Sequence, residues 1–212
     1  MTTTTPTNPG WRIQLAIHRA VRRDADRLGA AMAGVGAISD AVRDYWGVTA
    51  SQLHHHHEFE DTVVWPLLGQ RLGDPVDTLL ARNAHEHEVM ASAMDEFDTA
   101  LTTTDATSAR IALVRMRETV ESHLTHEEAD VLPLIPEAFT PEDLAFFQAE
   151  DAKTNAPNVF LPWMLDDAAD EDLELFTGQM PAPVQESLER VWMPQRRLIV
   201  EALQHTASVV SA

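Results

Sequence analysis

The 212-residue sequence contains no cysteine, which excludes a disulfide framework, an iron–sulfur cluster and any thiolate zinc site. Bases are scarce, with 15 Lys and Arg against 34 Asp and Glu and a net charge of −19. Such a balance disfavours nucleic acid, whose binding depends on neutralising phosphates, and anionic membrane surfaces, while giving cations a favourable field. No apolar run reaches the roughly 18 residues that a membrane-spanning helix needs. Alternating β-branched runs are few, and Ala, Leu, Glu, Arg and Met dominate, so an all-α fold is expected. The opening MTTTTPTNPG lacks the basic-then-apolar pattern of a secretory signal. Residues 1–10 are therefore expected to be a disordered leader, and the cytoplasm is the expected location.

The chain does carry one pattern twice. His54 to Pro66 reads HHHHEFEDTVVWP and His123 to Pro133 reads HLTHEEADVLP. In both, a histidine precedes a glutamate by four residues, an acid follows, and a proline stands ten residues past the histidine: His56, Glu60, Asp61 and Pro66, then His123, Glu127, Glu128 and Pro133. On a helix each His–Glu pair shares one face. Two such faces would offer imidazoles and carboxylates together, a set suited to transition metals rather than to magnesium or calcium. His57 with Asp61 and His126 with Asp130 have the same spacing. The first register is preferred because it keeps both apolar stripes continuous, and His54 and His55 are then expected to be exposed.

Four long helices are expected. The first spans about 11–32, with Ile13, Ala16, Ile17, Ala20, Val21 and Leu28 on one face and His18 among them. The second runs from Ser39 to about Leu72, with the stripe Leu53, His56, Glu60, Val63/Val64, Leu67. The third, about 76–101, carries Leu80, Ala84, His87, Met90/Ala91, Met94 and Phe97; His85 points away from that face. The fourth, about 109–135, carries Leu113, Met116, Val120, His123, Glu127, Val131 and Leu134. The midpoints between the four histidine levels fall at about 38, 72.5 and 106, each in a predicted break, as an up-down-up-down bundle with one polar layer requires. Residues 11–138 are thus read as a four-helix bundle, and 139–212 as a C-terminal helical extension packed on it. Whether that extension covers the site or joins a second subunit is left open. Tyr45, three turns before His56, is expected to be a packing or channel residue rather than a ligand, and the Trp and Met stripes are expected to serve in packing.

The ordered set His18, His56–Glu60, His87, His123–Glu127 resembles the H, HxxxE, H, HxxxE pattern of hemerythrin-like (HHE cation-binding) proteins, over about residues 11–137. Val159–Leu165, with PWML, is similar to the extension of longer actinobacterial members. The resemblance implies a metal site formed by His18, His56, Glu60, His87, His123 and Glu127. Its cofactor would be two iron ions in an oxo- or hydroxo-bridged di-iron centre with the glutamates as bridges. Oxygen-carrying hemerythrins have a fifth histidine four residues after the third; here that residue is Ala91, which implies an open position on one iron. Asp61 and Glu128 are expected to hold the ligating imidazoles or a bound proton. The expected function is processing of small oxygen species, foremost decomposition of hydrogen peroxide. A non-catalytic O2, NO or iron binder or sensor is the alternative, and a zinc hydrolase is disfavoured. Expected partners are a small-molecule ligand and a second copy of the chain in a homodimer.

Overall fold

In the computed structural model, residues 9–34, 36–103 and 105–208 are described; residues 1–8 of the expected leader lie outside them. No strand occurs among the described residues. Helix α1 (Pro9–Met32) begins two residues before the expected start. Helix α2 (Asp40–Phe59) is capped by Ser39, whose side chain accepts from the Val42 amide. It continues without a break through a π-turn at Glu60–Val64 into α3 (Trp65–Leu72). Gly73, at φ 69°, turns the chain, since a left-handed backbone suits glycine. Helix α4 (Asp77–Leu101) then returns to α5 (Ala106–His126), whose N-cap is Asp105.

After a second π-turn at Glu127–Val131, the fourth arm ends in a short 3-10 turn and α6 (Ile135–Ala138). The four arms pack as a ring, α1 against α2 and α5, and α4 against α2 and α5.

Helices α7 (Pro141–Asp151), α8 (Pro157–Leu165), α9 (Asp170–Thr177), α10 (Ala182–Ser187) and α11 (Met193–Ser208) follow. Of these, α8 and α11 lie against both α1 and α2. Their attachment is polar at its centre. Buried Asp24 of α1 accepts from Tyr45 (2.5 Å), Thr49 (2.7 Å) and the Trp163 indole (2.8 Å), and from Arg196 of α11 at 3.1 Å. Arg196 also reaches Asp166, at the end of α8, and its guanidinium sits 4.6 Å from the Tyr45 ring centre. Tyr45 and Trp163 are core residues as expected, but each has a hydrogen bond that the apolar pattern did not reveal.

The prolines shape the site. Pro66 and Pro133 each stand two residues after a π-turn, and the residue just before each proline donates its amide five residues back: Trp65 to Glu60 and Leu132 to Glu127. A proline lacks an N–H and its ring collides with the carbonyl four residues earlier; one extra residue in the turn relieves that collision. The same device recurs at Leu188–Trp192 ahead of Pro194, where Met193 donates to Leu188. There Val184 and Leu188 occupy the positions that His and Glu hold in the other two copies. In these three arms the π-turn therefore accompanies the proline rather than the His–Glu pair, although Pro162 sits inside α8 without one.

The extra residue also corrects the expected stripes. Beyond Glu60 the buried residues are Val64, Trp65 and Leu68, not Leu67; beyond Glu127 they are Val131, Leu132 and Ile135, not Leu134. On α4, Asn83 is buried where Leu80 and Ala84 were expected. The result is two apolar clusters. A large one spans Leu53, Met90, Met94, Phe97, Met116 and Val120, and a smaller one holds Val64, Trp65, Leu68, Val131, Leu132 and Ile135. In the two arms that carry His–Glu pairs, the pair falls between these two groups in the sequence.

Candidate metal centre

His18, His56, Glu60, His87, His123 and Glu127 are all buried, at 0–7% exposure, and the fold brings them together. The register ambiguity resolves on α5, where His123 and Glu127 point inward and His126 is half-exposed. His85 and His54 are exposed. His55 is half-buried, its ring nitrogen 2.7 Å from Asp151 of α7. One residue was missed. His57 is buried beside His56, so the two adjacent histidines both turn inward, about 100° apart on the helix.

The imidazoles fall into two groups bridged by the carboxylates. His18 and His56 form one with Glu127; His57, His87 and His123 form the other, with ligand atoms in each group within 4.8 Å of one another. Glu60 Oε1 lies 3.4 Å from His56 Nε2 while its Oε2 lies 3.6 Å from His87 Nε2. Glu127 Oε2 lies 3.5 Å from His18 Nε2 and 3.2 Å from His123 Nε2. Each glutamate thus spans both groups.

The outward nitrogens of His18 and His123 are held by further carboxylates, and that of His87 lies close to one without an aligned hydrogen bond. His18 Nδ1 pairs with Glu128 at 2.9 Å, and His87 Nδ1 lies 2.9 Å from Asp61. These are the two acids that follow Glu127 and Glu60. His123 Nδ1 is 3.3 Å from Glu86, which also contacts His126 and Arg82. Glu86 reaches His123 from a neighbouring helix, so no spacing within one helix could have revealed it. Gln14 donates to Glu60 Oε1 at 2.9 Å; it precedes His18 by four residues, a relation readable on a helix but outside the motif.

The inward atoms are a different matter. Nε2 of His18, His56, His57, His87 and His123, together with Glu60 Oε2 and both Glu127 oxygens, are buried and have no hydrogen-bond partner in the protein. Left unpaired at about 1–3 kcal/mol each, such a set would cost on the order of 10 kcal/mol, comparable with the whole stability of a typical domain. Nitrogen and carboxylate donors without thiolates are what a borderline transition metal takes, and the residues present fit one.

Charge within the layer is uneven. Burial lowers the His18 pKa, but Glu127 and Glu128 outweigh it and push the value up to about 9. Burial drives His56 and His57 well below the usual imidazole range, and charge on neighbouring histidines adds to this. Burial and the adjacent Glu127 charge push Glu60 well up. Glu127 is held well down: burial opposes this, but the charge on His18 and the close approach of His123 prevail.

Comparison with known proteins agrees with this chemistry. The family model of the hemerythrin HHE cation binding domain matches residues 10–135. Neither the curated proteins nor the solved structures gave a match. Among the described residues no helix is long and apolar enough to cross a membrane. The match covers more than half of an all-α chain whose buried His and Glu side chains fit a metal ion, so the protein belongs to the hemerythrin HHE cation-binding family.

Proposed function

We propose that the layer holds two iron ions and that the protein binds and processes small oxygen species, with hydrogen peroxide decomposition as its chemistry. His18, His56, Glu60, His87, His123 and Glu127 are the residues assigned to hold the pair, with Glu60 and Glu127 between the two ions. The observation that carries this reading is the convergence of unpartnered Nε2 and carboxylate atoms from four helices, with each carboxylate facing histidines of both groups. Such a pair of irons would supply two-electron redox chemistry toward an O–O bond. The chain's own part is to fix the imidazoles through Glu128, Asp61 and Glu86 and to surround the site with apolar side chains. With its residues 0–7% exposed, the layer favours ligands of a few atoms over larger substrates.

Elemental analysis of the purified protein, with a visible spectrum before and after peroxide, tests the proposal. About two irons per chain, near-ultraviolet bands and oxygen release over many turnovers are expected. Two irons without turnover would leave the non-catalytic O2 or NO binder; less than half an equivalent after iron reconstitution would remove the site assignment.

The electrostatics add a second expected result. In the metal-free chain His18 holds a proton up to about pH 9, and a ligand must lose it. Metal uptake should therefore release protons, from His18 and from Glu60 wherever that carboxyl is protonated, and apparent affinity should rise at least about tenfold per pH unit between pH 7 and 9. Calorimetry in buffers of different ionisation enthalpy reads the number directly. A pH-independent affinity would contradict the assignment of His18.

A further inference from the structure

The family's ordered motif includes one histidine from the second helical arm. In this chain two adjacent histidines, His56 and His57, are buried there, and their rings lie 5.3 Å apart in the same layer. Building on the proposed iron pair, we infer that His57 is a seventh protein ligand, giving the ion beside His87 and His123 a three-histidine face. This face replaces the open position that Ala91 implies.

Three observations carry it. The His57 ring stacks on His87 with centroids 4.3 Å apart and lies 5.3 Å from His123. One nitrogen from each of the three rings falls within 4.8 Å of the others. Three nitrogens bound at about 2.1 Å to one ion lie about 3.0–3.6 Å from one another, so the rings would close by up to about 1–2 Å on binding. Finally, His57 Nε2 is buried without any partner, as are the Nε2 atoms of the four motif histidines. A histidine serving only to pack would be expected to satisfy that nitrogen. Asp61, which would pair with His57 in the alternative register, instead lies at His87 Nδ1.

The centre would then be asymmetric, with two histidines on one ion and three on the other. The ion with fewer histidines would keep more room for an exogenous ligand.

The test uses the full chain stripped of metal and dialysed against Fe(II) under nitrogen. The wild type should take up two equivalents. His57→Phe preserves a flat ring against His87 but has no donor nitrogen. It should keep one equivalent at wild-type affinity and bind the second about 100-fold more weakly or worse. Uptake of both equivalents by His57→Phe within about threefold of wild type would overturn the inference. Less than half an equivalent in the wild type would instead overturn the iron pair itself, which separates the two failures. A measurement on the wild type does not depend on the variant folding. With Co(II) in both positions, each ligating imidazole retains one ring N–H shifted by the paramagnetic ion. Five such exchangeable resonances are expected, and four would exclude His57.

Discussion

Substituting glutamine for Glu127 is expected to weaken metal loading by at least about 100-fold while the helices remain formed. Glu127 is fully buried and faces His18 and His123, one from each histidine group. The amide keeps the shape of the side chain but removes the negative charge that holds His18 protonated in the metal-free chain. That charge would also offset the two cations once bound. Glutamine also offers one carbonyl oxygen in place of two carboxylate oxygens, so it cannot join two ions symmetrically. Glu128→Gln provides the scale. Glu128 holds the outward nitrogen of His18 and the Arg22 guanidinium but does not face the layer, and its loss should cost about 10-fold. Metal titration of the two variants, followed by circular dichroism to check helicity, distinguishes the roles. Equal losses would mean that Glu127 acts only through His18, and undiminished loading of the Glu127 variant would remove the bridging assignment.

The second large effect is on stability. Asp24→Asn should destabilise the metal-free protein by about 3 kcal/mol, because a buried ion pair loses one partner while the other charge stays buried. For a chain of this size that lowers Tm by about 10 °C. Asp24 collects hydrogen bonds from α2, α8 and α11, so the loss should fall on the attachment of the extension to α1 and α2. Arg196→Met should cost less. It leaves Asp24 with donors from Arg23, Tyr45, Thr49 and Trp163 and packs an apolar side chain against the Tyr45 ring. Thermal melts of the two single variants and the double variant give the coupling between the residues. A shift of less than about 1 °C for Asp24→Asn would show that the network contributes nothing to stability.

The helical arms and the inward faces of His18, His56, His87 and His123 were legible in the sequence because a helix repeats every 3.6 residues. A histidine that interrupts an apolar stripe is then visible as a misplaced polar group. The π-turns were less legible. The prolines at Pro66 and Pro133 marked where they had to occur, but the one-residue shift from Leu67 to Leu68 and from Leu134 to Ile135 is a backbone response that side-chain periodicity does not encode. His57 was missed for a related reason: one stripe per helix admits one of two adjacent residues, whereas a layer with two groups of histidines on either side of the helix admits both.

By itself, then, the sequence determined that the chain is helical and that four arms carry histidines at matching heights. It also determined that two of these arms repeat a His–Glu–Pro pattern, because each of these depends on residues close together along one chain. Only the tertiary structure decided which carboxylates hold the imidazoles from behind, as Glu86 does for His123 from another helix. It also decided that His57 joins His87 and His123, and that Asp24 binds the extension through Trp163 and Arg196. Those pairings join residues up to 172 positions apart, and they form only when packing of the apolar faces sets the distance between helices.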